Sequence, residues 1–183
     1  MRVRHLALCI GIMFSNLVNA QVPQPITANF QAVESLKKNL PLNIPETQDL
    51  TESEKIDLEC LAWNLYFEAR GGTHAEKIAV AWVPINRLSD PRFGTNICTN
   101  VFQYTLSSGQ KTWQFSWAGI KFGKNWKIEA ETWKQVQRIA LGVYKGQIHD
   151  TGKGALFFHH VDVQTSWTPR SGKWRIGTHY FYR

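Results

Sequence analysis

One stretch restricts what this chain can fold into more than any other: Leu61-Ala-Trp-Asn-Leu-Tyr-Phe-Glu68-Ala-Arg70-Gly-Gly72. Its apolar residues follow one another almost without a break, so a helix formed here is buried on most sides and other elements must wrap around it. Two glycines end the helix, and a carboxylate stands where it runs out. Leu61, Leu65 and Glu68 are spaced i, i+4, i+7, which puts Glu68 on a face that is otherwise apolar. An ionised glutamate is costly in such surroundings. Its pKa rises, it holds a proton near neutral pH, and it is then in the state that a general acid needs. The plainer role for Glu68 is a pairing with Arg70 or with a backbone donor at the helix end.

The elements around this helix follow from local signals. Thr51-Glu-Ser-Glu54 is a capping box that opens the helix and predicts its run to about Ala69. A second box, Thr73-His-Ala-Glu76, restarts the chain at once through Ile78 to Leu88, so two helices joined by a Gly-Gly turn should pack closely. Pro84 inside the second predicts a kink or one loosened turn. Ile97 to Tyr104 reads as a short helix with Val101 and Phe102 inward. Residues 105–128 are aromatic and without clear period, which predicts a long ordered loop suited to binding, with Gln114-Phe115-Ser116-Trp117 in its middle. A further helix from about Glu129 to Lys145 turns Ala130, Trp133, Val136, Ala140 and Val143 to one side, and Gly146 ends it. Then come strand-like runs at Ala155–Val163, Trp174–Ile176 and His179–Tyr182, with a turn at Gly177. Helices first and a small C-terminal antiparallel β-sheet last define an α+β class.

Residues 1–20 read as a signal peptide. Arg2, Arg4 and His5 precede an apolar core, Leu6 to Phe14, and Val18-Asn19-Ala20 is a small-residue cleavage site. Export after cleavage near Ala20 is expected, and no other run is apolar for long enough to span a bilayer. Residues 21–50 hold Pro23, Pro25, Pro41 and Pro45 and read as a leader or linker, partly ordered at best, with the compact domain over residues 51–183. Charge is uneven: residues 21–76 carry four basic and nine acidic side chains, whereas residues 77–183 carry fifteen basic and five acidic, together with seven of the eight tryptophans. A basic, Trp-rich surface suits a polyanion with flat apolar faces. Export favours a cell-wall glycan over nucleic acid as that partner, and the basic residues are scattered rather than clustered. After cleavage, Cys60 and Cys98 remain. An exported pair can be joined, but Cys60 on the apolar helix also packs well as a free thiol, and the sequence leans to the latter.

Six segments, taken in order and spacing, carry a resemblance. They are Phe67-Glu68-Ala69-Arg70-Gly71, Ile78-Ala-Val-Ala81 with Asn86-Arg87, Val101-Phe102, Gln114-Phe-Ser-Trp117, Gly154-Ala-Leu-Phe-Phe-His159, and Ile176-Gly-Thr-His179-Tyr-Phe181. The set resembles the cell-wall hydrolase family of the spore cortex-lytic enzymes over roughly residues 58–183. The resemblance implies a peptidoglycan glycosidase, in many members a lytic transglycosylase, with a lysozyme-like helical core and with Glu68 as the catalytic acid. The chain departs from the family pattern in two places. Gly72-Thr73-His74 stands where a further acid is common, and Pro84 where an aliphatic residue is usual.

Glycosidases generally use two carboxyls. Beyond Glu76 this chain offers only Asp90, Glu129, Glu131, Asp150 and Asp162. Asp162 is the best second candidate because it follows His159-His160, though a solvated loop-end aspartate is the plainer reading. This scarcity fits a mechanism with one carboxylate. Candidate substrate-binding residues are Tyr66, Gln114, Phe115, Ser116, Trp117, His159 and His179, with Trp167 weaker; core packing is the competing role for Phe115 and Trp117. Two rival functions stay open. One is a metal-dependent peptidoglycan amidase or peptidase using His149, His159, His160 and His179, although no His-Glu-x-x-His motif is present. The other is a domain that binds wall glycan without cleaving it. The glycosidase reading needs no cofactor and no metal and expects a monomer, peripheral to the membrane at most, acting on peptidoglycan strands.

Overall fold

The computed structural model describes residues 30–120, 128–164 and 172–183. The segment read as a signal peptide and the Trp167 loop lie outside these residues. In chain order the elements are α1 (Phe30–Asn39), α2 (Glu52–Ala69), α3 (His74–Arg87), α4 (Ile97–Val101), β1 (Tyr104–Ser107), β2 (Gln110–Trp113), α5 (Ala130–Tyr144), β3 (Phe157–His160), β4 (Trp174–Ile176) and β5 (His179–Tyr182). The class is α+β, as the order of patterns predicts.

The apolar helix is the hub. α2 packs against α3, α4 and α5, and Leu58, Cys60, Leu61, Ala62, Trp63, Asn64, Leu65, Tyr66 and Ala69 are all buried along it. Each fully buried leucine contributes roughly 2–3 kcal/mol by removal from water. Both predicted capping boxes form. Thr51 accepts from the Glu54 backbone and Thr73 from the Glu76 backbone, and each glutamate reaches back to its cap. α3 runs unbroken through Pro84, whose ring is buried.

The proline-containing stretch departs from the expected spacer. Leu36, Leu40 and Ile44 enter the core. The Trp63 indole donates to the Leu40 carbonyl (3.1 Å), and Trp133 and Gln137 both donate to the Pro41 carbonyl (3.2 and 2.9 Å). Lys145 bonds the Glu46 carbonyl and pairs with Asp49 (3.1 Å). These partners lie 23 to 99 residues away, so no local pattern announces them.

A disulfide joins Cys60 to Cys98 and ties α4 to the middle of α2, which corrects the leaning towards a free Cys60. The Cys98 backbone N–H also donates to the Asp57 carboxylate (3.1 Å), so the two segments meet through more than the bridge. A loop of 38 residues is closed, and in the chain-entropy account such a bridge stabilises by roughly 4 kcal/mol. Reduction should therefore lower the urea midpoint and, because the freed unfolded chain exposes more surface, steepen the slope; an unchanged midpoint would mean that the bridge does not restrain the unfolded chain.

The stretch expected to be one long loop opens instead with a hairpin. β1 and β2 pair from Tyr104↔Trp113 to Ser107↔Gln110. Ser108 and Gly109 both take positive φ (50° and 79°), as a two-residue turn of the primed kind needs. After it, Ser116–Gly119 forms one short 3₁₀ turn. The C-terminal sheet has the order β3-β5-β4, antiparallel throughout, with Phe158↔Phe181, His160↔His179 and Trp174↔Phe181 among its pairs. Phe158, Trp174, Ile176 and Phe181 turn to the core, while Phe157, His159, Tyr180 and Tyr182 share the other face.

Candidate active site

Glu68 sits in the last turn of α2, between partly buried Phe67 and buried Ala69. Burial pushes its carboxyl up to about 7, and the one charge opposing that rise among the described residues is the Arg87 guanidinium. Pairing with Arg70 does not occur. Arg70 is exposed and lies over the Tyr66 ring at 5.3 Å. Among the described residues no hydrogen bond or ion pair reaches the Glu68 carboxyl. A carboxyl that is half protonated near neutrality, and held to no partner, is equipped both to give and to take a proton.

The segment 114–117 does lie beside this turn. Trp117 stacks on Phe67 (ring centroids 4.7 Å, 26° between planes), and its indole donates to Asn64 (3.0 Å). The structure sorts the predicted groove residues, however. Gln114 is half-buried and Ser116 exposed, so both remain open to a ligand. Tyr66, Phe115 and Trp117 are buried. Tyr66 meets Trp133 edge-on, and its hydroxyl accepts from the Glu129 backbone (3.1 Å), which makes it a link between α2 and α5 rather than a groove wall. Because α2 is apolar around nearly its whole circumference, its aromatic residues are taken by the core. Phe115 lies against Phe158 and under Arg87 (5.1 Å). Core packing, the competing role for Phe115 and Trp117, is the one they have.

His159 and His179 fall on opposite faces of the sheet and do not share a wall. His159 is half-buried beside Tyr180 and Tyr182; burial first, then Lys173 and His179, holds its pKa down. His179 is only 7 % exposed, and its Nδ1 lies 2.5 Å from Glu76 Oε1. Burial lowers the His179 pKa despite that carboxylate, so the neutral ring donates to Glu76. His179 is thus a structural partner instead of a ligand-facing one. Asp162 is exposed in the turn after β3, the solvated position weighed for it. Among the described residues no group of three or more His, Cys, Asp or Glu is placed to hold a metal.

Two charged residues escaped the sequence reading as functional groups. Glu76, 1 % exposed, accepts from the Thr73 and Thr178 backbones (3.2 and 2.9 Å), the Thr178 hydroxyl (2.7 Å) and His179. It therefore fastens the turn that follows Glu68 to the β4–β5 turn. A Cβ on Gly72 or on Gly177 would run into its carboxylate (2.6 and 2.2 Å), so Glu76 occupies the space beside both glycines. Arg87, 3 % exposed, donates from Nε to the Leu156 carbonyl (2.7 Å) and lies over Phe93 (4.5 Å), Phe115 and Phe157 (5.5 Å). The Asn86-Arg87 pair in the resemblance was the available signal for Arg87. For Glu76 the cap role alone was visible.

The described residues thus form an α+β body with a carboxyl raised to about 7 at the end of its central helix. The family model described as Cell Wall Hydrolase matches residues 71–182, and the chain belongs to the cell wall hydrolase family. The chain is also 30% identical, over 128 residues, to a spore cortex-lytic enzyme of Halalkalibacterium halodurans; the match covers 68% of this chain and 34% of that protein. The chain thus spans about a third of the length of the curated relative it matches. No solved structure matches it.

Proposed function

We propose that this protein cleaves peptidoglycan glycan strands as a lytic transglycosylase, with Glu68 as the single catalytic group. The observation that carries the reading is the Glu68 carboxyl itself, raised to about 7 by burial at the end of α2 and without a partner among the described residues. In the reaction Glu68 gives its proton to the oxygen leaving C1 of N-acetylmuramic acid, and the C1–O bond breaks with its electron pair on that oxygen. The substrate's own C6 hydroxyl attacks C1, and Glu68, now a carboxylate, takes the hydroxyl proton. A 1,6-anhydro sugar results. An intramolecular nucleophile needs no positioned water and no second carboxylate. The exposed position of Asp162 and the absence of any other carboxylate acting on Glu68, among the described residues, support this economy. The relative's designation as a spore cortex-lytic enzyme supports the substrate class.

In this reading Gln114 and Ser116, open beside the Phe67–Trp117 stack, bond sugar hydroxyls or N-acetyl groups. The protein acts outside the cytoplasm after signal-peptide removal, as a monomer, and residues 51–183 carry the catalysis. No helix among the described residues is long and apolar enough to cross a membrane. The test is mass spectrometry of muropeptides released from purified peptidoglycan. Products about 18 Da below the hydrated reducing sugar are expected from an intramolecular attack. Hydrated ends would replace the C6 hydroxyl by water, and cleaved peptides on intact strands would end the glycosidase reading.

A further inference from the structure

The β1–β2 hairpin carries side chains that neither the core nor the catalytic reading uses. Its register sets Tyr104 opposite Trp113 and Leu106 opposite Lys111, so these four share one face. Leu106 is 53 % exposed, more than any other large apolar side chain among the described residues. The Lys111 ammonium lies over the Tyr104 ring at 4.3 Å and the Trp113 ring at 5.7 Å, and among the described residues no carboxylate pairs with it. The surrounding sequence supplies none: residues 91–128 hold five basic side chains and no acidic one. The two rings are themselves fixed. Their centroids are 5.0 Å apart, Trp113 packs on the core, and a Cβ on Gly119 would come within 2.4 Å of its Nε1. The hairpin is also continuous with the candidate groove. Gln114 follows β2 directly, and its backbone N–H donates to the Gln103 carbonyl (2.9 Å) at the hairpin's base. Covering the two rings would account for Lys111 alone. A held cation directly across the ladder from an open leucine matches a ligand that joins a carboxylate to apolar carbon.

We infer that this hairpin face binds the peptide stems of peptidoglycan, with Lys111 bonding a stem carboxylate and Leu106 packing on the stem's apolar carbons. The inference rests on the proposed peptidoglycan substrate and extends it from sugar to peptide. The ammonium is held by two rings and has no ion pair to give up, among the described residues, when an anion arrives. The contact lies in water, so it adds selectivity more than affinity. The consequence is a preference: strands that carry peptides bind better than bare strands, while Gln114 and Ser116 serve both.

Two probes test this: soluble glycan strands with their peptide stems intact, and the same strands with the stems removed by an amidase. Stopped-flow tryptophan fluorescence reads binding before cleavage. Lys111→Gln should weaken binding of the peptide-bearing strands by roughly two- to fivefold at low salt and leave the bare strands unchanged. The difference should shrink at about 0.3 M salt. Lys111→Arg, which keeps the charge, should hold the preference. Leu106→Thr, which suits a strand, should also weaken the peptide-bearing strands while its urea midpoint stays at the wild-type value, a separation that a structural leucine would not show. Equal losses on both probes would mean that the face holds sugar, and unchanged affinities that it is only a solvated surface; either result overturns the inference. Cleavage that survives in Glu68→Gln sinks the catalytic reading and leaves this comparison intact, because affinity is measured ahead of any product. A dead Glu68→Gln with unchanged affinities in both hairpin variants sinks only the role of the hairpin.

Discussion

Glu68→Gln is expected to lower glycan cleavage by roughly 10²–10⁴-fold, with folding and substrate binding retained. The amide keeps the volume and shape of the side chain, so the packing around Phe67 and Ala69 is undisturbed. What it lacks is a proton acidic enough to be given up near neutral pH. Wild-type activity should fall as pH rises through about 7, where the acid loses its proton, and the variant should show no such limb.

The same substitution should stabilise the protein, and the sign can be worked out. The folded carboxyl sits near 7 against an ordinary 4.5. Between those values the folded state holds more protons than the unfolded one, so stability declines as pH rises across this window and is lowest above it. Removing the ionisable group should therefore raise stability above pH 7 by about 2–3 kcal/mol, allowing for partial exposure, and change little below pH 4.5. Urea midpoints at pH 4 and pH 8 test this. Equal midpoints for the two proteins at pH 8 would mean that Glu68 is comfortably solvated and has no store of unfavourable energy to spend on proton transfer.

Glu76→Ala should have the largest effect on stability, a loss of roughly 3–5 kcal/mol, because it breaks a buried charged network and leaves its donors unmet. The Thr178 backbone and hydroxyl, the Thr73 N–H and the His179 ring would all lose their acceptor. Burial pushes the Glu76 carboxyl up, but the bonds from Thr178, His179 and Thr73 together hold it below the ordinary value. Its contribution is therefore present above 4.5 and lost as pH falls through the lower folded value. His179, held neutral by burial, adds to the same trend. Its contribution is full above its ordinary 6.5 and fades as acid protonates the ring. In a Glu68→Gln background, which removes the opposing trend of Glu68, the protein should grow acid-labile below about 6.5, and adding Glu76→Ala should flatten that profile. A Glu76→Ala protein that melts like wild type would reduce this cluster to a surface cap.

How far the fold could be read ahead follows from where each signal resides. The capping boxes lie within four residues of sequence, so both helix starts were legible, and Glu68 was legible because its face is set by neighbours at i−3 and i−7. The Ser108-Gly109 turn was also local, but it was overlooked among aromatic residues without period. The burial of Tyr66, Phe115 and Trp117 was not legible for another reason. An aromatic side chain suits a sugar groove and a core equally well, and only the packing partners decide. Arg87 and Glu76 find their decisive partners 69 and 102 residues away, and the Cys60–Cys98 bridge spans 38. None of these leaves a periodic trace.

The attachment of α1 and the segment behind it has an evolutionary side. Trp63, Trp133 and Gln137 grip this segment by the carbonyls of Leu40 and Pro41, and every amino acid possesses a carbonyl. Substitution at Pro41 leaves the acceptor in place, so its residue type can drift through descent while the joint persists, whereas Leu40 is held by its buried side chain as well. The family match begins at Gly71, although α1 and α2 share its core. The edge of recognisable ancestry is therefore not the edge of the folded body, and a relative could retain this brace with hardly a letter in common.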